Sequence, residues 1–228
     1  MKLSGTQEPQ GFLDFESNGG FFMQEIKKTG TTTVGITCKD CVILAAESKS
    51  TLGYLISSKT SQKIYKVDDK IAITTAGGAG DTQQLARVLK AEIQIYKLTR
   101  NSDFTVNAAV NLLSNILQNN RYYPYMAMLI IGGADRNGYH IYSIDPVGGL
   151  EKDDFTATGS GSPFAYGVLE NEYKPNMSRE EGIKLVVRAI RSARERDIFS
   201  GGKNINVLVI DKNGAQMVDE EKILELAK

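Results

Sequence analysis

The sequence lacks several features that would assign a functional class directly. Its 228 residues carry 27 Lys plus Arg against 27 Asp plus Glu, so the formal net charge is zero. Without an excess of positive charge, there is no electrostatic argument for binding nucleic acid or an anionic membrane. No apolar run approaches the roughly 18 residues of a membrane span, and no apolar signal segment follows Met1-Lys2-Leu3. We therefore expect a single cytoplasmic domain with a large core.

Histidine and cysteine are also scarce, which argues against a metal or redox centre. His140 is the only histidine, and the two cysteines form the pattern Cys38-Lys39-Asp40-Cys41. A redox CxxC pair belongs at a helix N-terminus, and a zinc ribbon needs a second pair. Here β-type sequence lies on both sides, so we interpret the cysteines as small apolar residues at a hairpin end. The sequence does not decide whether the two cysteines form a strained disulfide at this turn.

Residues 1–30 differ in character from the rest of the chain. They contain Gly19-Gly20, polar stretches and scattered aromatic residues without sustained periodicity. This composition is typical of a poorly ordered leader or pro-segment. We expect the folded domain to span residues 31–228.

The remaining sequence predicts strands and helices in alternating groups. Apolar or β-rich runs predict strands at Thr32–Thr37, Cys41–Ala46, Ile64–Val67, Ile71–Thr75, Met126–Ile131, Tyr139–Ile144 and Asn204–Ile210, with Ser57–Ser61 as a polar connection. One helix follows the Ala76–Gly80 loop, capped by Asp81 or Thr82, with Leu85, Val88, Leu89, Ile95 and Tyr96 on one face. The next carries Val106, Ala109, Val110, Leu113, Ile116 and Leu117 at helical spacing.

Two further helices lie in the second half of the chain. One begins near Ser162-Pro163, since proline suits the first helical position. The other begins at Ser178, with Glu181 completing a capping box, and a short helix over Glu220–Ala227 ends the chain. The order of strands, two helices, strands, two helices and strands predicts an α+β fold. Two antiparallel sheets between helix pairs, a four-layer αββα sandwich, fit this order better than alternating βαβ units.

The stretch Gly30-Thr31-Thr32-Thr33 suggests a specific chemistry. Cutting the Gly30–Thr31 bond would give Thr31 a free α-amine beside its own hydroxyl, so one residue would hold a nucleophile and a candidate base. A free α-amine has a reference pKa of about 7.7–8.0 and accepts a proton near neutral pH, which an amide nitrogen cannot do. The alternative is that these threonines merely start a strand, where β-branched residues are common.

Two charged residues and a glycine loop could complete such a site. An inward-pointing Lys63 would lower the pKa values of the Thr31 amine and hydroxyl, and Glu47 could orient it. Both could equally be solvated surface charges. Gly77-Gly78 offers backbone N–H groups to a developing oxyanion, although a glycine-rich turn is weak evidence by itself. The loop lacks the GxxxxGK[ST] pattern of a phosphate cradle.

Taken together, these residues resemble the archaeal-type 20S proteasome β subunits, which are N-terminal-nucleophile hydrolases. The resemblance runs from Thr31 to about Ile210. It is carried by the motifs Thr31-Thr32-Thr33-Val34-Gly35-Ile36, Ala46-Glu47-Ser48-Lys49, Gln62-Lys63-Ile64, Ala76-Gly77 through Gly80-Asp81, Thr158–Gly167 and Arg196-Asp197-Ile198-Phe199-Ser200-Gly201-Gly202.

The resemblance implies a threonine endopeptidase that removes its own propeptide, residues 1–30, by cleaving Gly30–Thr31. Thr31 would be the nucleophile, tuned by Lys63 and Glu47, with Gly77 as oxyanion donor and no cofactor. The resemblance also implies that Ser160, Asp197 and Ser200 belong to the hydrogen-bond network around Thr31. Thr51 and Gly77 would pair with an extended substrate. The pocket-lining positions are Ser50, Ser61, Thr75 and Ala79.

The pocket positions are small or polar, and Lys49 stands where an arginine is common. We therefore expect a roomier pocket than the usual apolar one. The implied partners are other β subunits in a heptameric ring, α subunits in an α7β7β7α7 barrel, a regulatory ATPase docked on the α ring, and unfolded polypeptide substrates. Two alternatives are a catalytically silent β subunit that builds the ring or primes a partner, and an amidase acting on a small molecule.

Overall fold

The computed structural model describes residues 30–226, so all but one residue of the predicted leader, and Ala227 of the predicted terminal helix, lie outside the described residues. The strands are β1 Thr33–Thr37, β2 Val42–Glu47, β3 Ser50–Leu52, β4 Leu55–Ser58, β5 Ile64–Asp68, β6 Ile71–Gly77, β7 Ala127–Asp135, β8 Gly138–Ile144, β9 Leu150–Asp153, β10 Phe155–Thr158, β11 Ile205–Asp211 and β12 Gly214–Met217. The helices are α1 Ala79–Arg100, α2 Val106–Asn119, α3 Ser162–Glu172, α4 Arg179–Arg196 and α5 Glu220–Leu226.

Two five-stranded antiparallel sheets form the centre of the fold. The first has the order β10-β1-β2-β11-β12 and the second β5-β6-β7-β8-β9, while β3 and β4 form a separate hairpin. Helices α3 and α4 pack on the first sheet, and α1 and α2 pack on the second. The predicted α+β fold, a four-layer αββα sandwich, is confirmed.

Three apolar clusters hold the layers together. The first joins α3 and α4 to the outer face of the first sheet, through residues such as Ile36 and Val186. The second joins α1 and α2 to the second sheet, through residues such as Leu89 and Ile131. The third lies between the sheets and includes Leu44. Strands buried on both faces explain the continuous apolar runs in β2 and β7.

The helix boundaries are partly as predicted. Ser178 and Glu181 form the predicted capping box at the start of α4, and Pro163 lies in the first turn of α3. The prediction that Asp81 or Thr82 caps α1 is wrong, because α1 already begins at Ala79 and its N-cap is Gly78, with no side-chain cap. The Asp81 carboxylate instead accepts a hydrogen bond of 2.8 Å from the backbone N–H of Met126, which ties α1 to the start of β7.

The predicted core face of α1 is wrong at its C-terminal end. Ile93 is fully buried, whereas Ile95 is 54% and Tyr96 37% exposed. Ile93 lies four residues after Leu89 and continues its row, while Ile95 lies about 200° further around the helix at 3.6 residues per turn. Tyr96 packs edge-on against Phe104 at a centroid distance of 4.9 Å, at the margin of the core.

The short strands β3, β4, β9, β10 and β12 were not predicted. The polar connection predicted at Ser57–Ser61 overlaps the end of β4, Leu55–Ser58. All four residues of β9 are exposed, so that strand shows none of the apolar alternation by which a half-buried strand is recognised. Strand β9 is therefore defined by its pairing with β8 and not by its own sequence.

Candidate active site

The candidate site forms where strand ends of both sheets meet. Thr33 pairs with Ala46 on one side and Thr158 on the other, which places Thr31 beside the end of β2 and the end of β10. Ile205 pairs with Glu47, so the segment before β11 reaches the same place. In the second sheet, β5 begins and β6 ends at this edge. Antiparallel pairing therefore brings together residues that lie far apart in sequence.

Thr31 is 5% exposed, and its hydroxyl lies between two groups. The Lys63 ammonium donates a hydrogen bond of 2.8 Å to Thr31 Oγ1, and Thr31 Oγ1 donates one of 2.7 Å to the Gly30 carbonyl oxygen. The hydroxyl thus contacts both a cation and the peptide bond that precedes its own residue. Such a contact can polarise the hydroxyl and place it close to that bond.

Lys63 and Glu47 form a buried ion pair beneath Thr31. Their side chains are 7% and 0% exposed, and Lys63 Nζ donates directly to Glu47 Oε1. The carboxylate also accepts backbone N–H groups from Thr32 at 3.3 Å, Lys49 at 2.6 Å and Gly201 at 3.0 Å. A buried charge is tolerated when it is paired and its remaining lone pairs are satisfied, as they are here. The interpretation of Glu47 and Lys63 as solvated surface charges is therefore wrong.

The protonation of Lys63 is set by two opposed effects. Burial lowers the pKa of its ammonium group below the ordinary value, because the charged form loses solvation. The adjacent Glu47 carboxylate opposes that shift by favouring the charged form. Lys63 therefore has a weakened hold on its proton while it remains in contact with the hydroxyl of Thr31.

A second polar network lies on the other side of Thr31. The Thr31 backbone N–H donates to Ser160 Oγ at 3.2 Å, and Ser160 Oγ donates to Asp197 Oδ2 at 2.6 Å. Ser200 Oγ donates to the same carboxylate oxygen at 2.6 Å and lies 2.6 Å from Thr32 Oγ1. The structure thus joins Ser160, Asp197 and Ser200 in one network, which reaches the Thr31 nitrogen through Ser160. This is the atom that would become an amine if the preceding bond were cut.

Gly30 lies in a space that admits no side chain. A Cβ atom built on Gly30 would lie 1.7 Å from Phe199 Cβ and 2.6 Å from Ser160 Oγ. Real Cβ atoms essentially never approach other heavy atoms so closely, so glycine is required for this close passage. The Gly30 carbonyl is consequently held against the Thr31 hydroxyl by the packing of Phe199.

Gly77 ends β6 on the opposite side of the site. Its φ of +128° is unfavourable for any residue with a side chain, and a Cβ atom there would lie 2.0 Å from the Met126 carbonyl oxygen. The next residue, Gly78, donates its N–H to that same oxygen at 2.7 Å. The loop is therefore held in one conformation by β7.

Replacing Gly77 with alanine is expected to destabilise the fold by about 1–3 kcal/mol, because the new Cβ meets backbone and the φ value is strained. Gly80→Ala is the matched control. It lies in the first turn of α1, and a Cβ there meets nothing within 4 Å. Alanine at that helical position should be neutral or stabilising by about 0.5–1 kcal/mol. Calorimetric melting of both variants measures this, and Gly77→Ala melting at or above Gly80→Ala contradicts it.

A cavity of about 660 Å³ opens in front of Thr31. All of the predicted substrate-binding residues line it: Ser50, Thr51, Ser61, Thr75, Gly77 and Ala79. The structure therefore collects these positions around one cavity. Prediction from sequence missed the lining residues further along α1, which include Gln83 and Arg87. Their spacing from Ala79, at three to four residues per step along α1, is a signal that could have found them.

The cysteine pair lies outside this site. Cys38 and Cys41 are buried and free, and they flank the turn between β1 and β2, where Cys38 donates its N–H to the Cys41 carbonyl at 2.8 Å. Between Gly30 and Leu226, no three His, Cys, Asp or Glu side chains are grouped so that they could hold a metal ion. In the same stretch no helix is long and apolar enough to cross a membrane.

Comparison with known proteins gives a consistent result. The family model described as "Proteasome subunit" matches residues 27–210. The protein named "Proteasome subunit beta" from Methanosarcina mazei is 49% identical over 195 residues, which cover 85% of this chain and 92% of that protein.

Two further relatives carry the same name. The protein from Methanosarcina barkeri is 50% identical over 195 residues, with 85% of this chain and 92% of that protein covered. The protein from Methanoregula boonei is 50% identical over 196 residues, with 86% and 92% covered. The similarity therefore extends over nearly the whole of the described fold.

Proposed function

Because the chain belongs to the proteasome subunit family, as a β-type subunit of the archaeal kind, we propose that it is a threonine endopeptidase of the 20S core particle. Its nucleophile is Thr31 and its substrates are unfolded polypeptides. The observation that carries this proposal is the position of Thr31 Oγ1, which lies 2.8 Å from Lys63 Nζ and 2.7 Å from the Gly30 carbonyl oxygen.

The first reaction is cleavage of the chain's own Gly30–Thr31 bond. Thr31 Oγ1 attacks the Gly30 carbonyl carbon, the C–N bond breaks, and the nitrogen takes the hydroxyl proton. The product is an ester between Gly30 and the Thr31 hydroxyl. Water then hydrolyses this ester, which releases Gly30 as a carboxylate and leaves Thr31 with a free amine and a free hydroxyl. Residues 1–30 are in this account a propeptide.

The new amine then serves as the general base for peptide substrates. The nitrogen of this amine is the Thr31 backbone nitrogen, which already contacts Ser160 Oγ at 3.2 Å. Ser160 in turn belongs to the network that includes Asp197 and Ser200. The amine accepts the hydroxyl proton, directly or through one water, as Oγ1 attacks the substrate carbonyl. Lys63 stabilises the developing alkoxide, and the Gly77 N–H is the donor that we assign to the oxyanion.

An extended substrate binds by strand addition along Thr51 and Gly77, which both line the cavity. Main-chain hydrogen bonds then supply affinity, and side-chain pockets supply selectivity. A segment must be extended to bind in this way, so the substrates are unfolded chains. The chain assembles with other proteasome subunits. For that assembly we propose a β heptamer in an α7β7β7α7 barrel, fed by an ATPase on the α ring.

The hydrogen bonds among the proposed catalytic residues also bear on the alternative, which is a catalytically silent subunit that only builds the ring. Thr31, Lys63, Glu47, Ser160, Asp197 and Ser200 are joined by direct hydrogen bonds in one group. A subunit with only a structural role has no need for a buried cation against a threonine hydroxyl. This favours the catalytic role over the structural one.

Degradation of one polypeptide in its folded and unfolded forms tests the proposed function. A disulfide-stabilised protein should resist the assembled particle, whereas its reduced and alkylated form should be cut into short peptides, because only the extended chain can add as a strand. Mass spectrometry of the products measures this, with a Thr31→Ala particle as the control. Equal cleavage of both forms, or cleavage by the control, contradicts the proposal.

A further inference from the structure

The cavity in front of Thr31 carries charge of one sign. Three charged side chains line it, those of Lys49, Lys63 and Arg87. Across residues 30–226, no aspartate or glutamate contributes to its wall. A substrate side chain that enters therefore meets cations without a carboxylate among them.

Two of these three cations already have partners that hold them in place. Lys63 is paired with Glu47. Lys49 Nζ donates to the Ile198 carbonyl at 2.7 Å. Arg87 Nη2 donates to the neutral Gln84 Oε1 at 3.0 Å. Like Lys49, Arg87 forms no ion pair among residues 30–226. The Lys49 ammonium is anchored to a backbone carbonyl of another segment, whereas the acceptor of Arg87 is a side chain of its own helix. Of the two unneutralised cations, Arg87 is therefore the one that can turn more easily toward an incoming anion.

Helix α1 directs the Arg87 side chain toward the site. Residues of α1 at helical spacing form one wall of the cavity: Ala79, Thr82, Gln83, Ala86 and Arg87. Side chains on a helix tilt toward its N-terminus, here the end beside Gly77. The contact with Gln84, three residues earlier, shows that the guanidinium lies back over the preceding turn.

Tyr65 gives a second sign of where the guanidinium lies. Tyr65 and Arg87 both line the cavity in front of Thr31 and a neighbouring cavity as well, so the two residues are close. Burial raises the pKa of the Tyr65 hydroxyl, and the Gln83 side chain and the charge of Arg87 act against that rise. The cavity lining therefore includes Arg87 together with Tyr65 and Gln83, and its other residues from α1 include the small Ala79 and Ala86.

We propose that the site cleaves preferentially after residues with a long acidic side chain, glutamate above all, and that Arg87 is the residue that determines this preference. The inference rests on the proposed endopeptidase function. A glutamate carboxylate can accept charge-assisted hydrogen bonds from the guanidinium fork, whereas a lysine side chain meets only like charge. The preference refines the expectation of a roomy, polar pocket.

Peptide pairs that differ only in Glu or Gln before the cleaved bond test the proposal on the assembled particle. The two side chains have the same length and differ in charge, so the ratio of their kcat/KM values isolates electrostatic recognition. We expect a Glu/Gln ratio of about five in wild type, allowing for solvent screening of an exposed arginine. In Arg87→Gln the ratio should fall to about one. Arg87→Lys should keep part of the preference, since it keeps the charge without the fork.

Arg100→Gln is the matched control, because Arg100 lies on the same helix, roughly 20 Å further along its axis. Its Glu/Gln ratio should equal that of wild type. A wild-type ratio of one or less, or a ratio that Arg87→Gln leaves unchanged, overturns the proposal. In either case Thr31-dependent cleavage of the Gln peptide still supports the endopeptidase function. If wild type cleaves neither peptide, the function itself fails.

Discussion

Replacing Lys63 with methionine is expected to lower kcat for peptide hydrolysis by about three orders of magnitude, or about 4 kcal/mol. The ammonium group contacts Thr31 Oγ1 at 2.8 Å, so its removal takes away the charge that stabilises the developing alkoxide. Methionine keeps the volume of the buried side chain without the charge. KM should change little, since Lys63 contacts the nucleophile and adds little to ground-state binding.

A loss of activity in Lys63→Met could also arise because Glu47 is left buried without its cation. The double variant Lys63→Met with Glu47→Gln separates the two causes. A neutral glutamine no longer needs a counter-ion, and its side-chain oxygen can still accept from the Lys49 and Gly201 N–H groups. The double variant should recover thermal stability while kcat stays low. The proposed role of Lys63 is wrong if either variant keeps more than a tenth of the wild-type kcat.

Thr31→Ala is expected to reduce peptide hydrolysis to the level of the uncatalysed control, a loss of at least about 10³-fold. In the proposed mechanism the hydroxyl is the nucleophile, and it is the Thr31 hydroxyl that Lys63 contacts. Folding should be preserved, because the Glu47–Lys63 pair and its backbone donors do not depend on the Thr31 side chain. Thr31→Ser should retain measurable activity, since it keeps the hydroxyl.

Steady-state hydrolysis of a fluorogenic peptide by assembled particles of equal size measures this loss. Thr99→Ala is the matched control, because Thr99 is exposed on α1 and its hydroxyl donates to the Ile95 and Tyr96 carbonyls of its own helix. That variant should be as active as wild type. If Thr31→Ala particles kept their activity, Thr31 would not be the nucleophile.

Local patterns in the sequence predict those parts of the fold that are formed by short-range interactions. The β1–β2 hairpin has a two-residue turn, and α2 and α4 have clear helical spacing and caps, so each is specified by neighbouring residues. The edge strand β9 is specified by β8 instead, with Ile141 paired to Asp153. A strand with four exposed residues carries no pattern that a window of sequence can detect.

In the candidate site, too, some features follow from nearby residues and others depend on residues far away in the sequence. Thr31, Glu47 and Lys63 could be predicted as one group because a nucleophile, an acid and a cation follow one another near the start of the domain, and the structure places them in contact. The need for glycine at position 30 could not be found in this way, because it depends on Phe199, which lies 169 residues away and packs where a Cβ would be. The place of Arg87 in a cavity wall without carboxylates among residues 30–226 was missed for a similar reason, because it depends on residues from several strands as well as from α1.

Intact-mass measurement of the chain in assembled particles tests the central claim most directly. That claim is that Thr31 cleaves the Gly30–Thr31 bond and thereby creates its own catalytic amine. Wild-type chain should have the mass of a product that begins at Thr31, and Thr31→Ala should have the mass of all 228 residues. The account would be contradicted by a Thr31→Ala chain cut at the same bond in pure particles, or by active wild-type particles that retain residues 1–30.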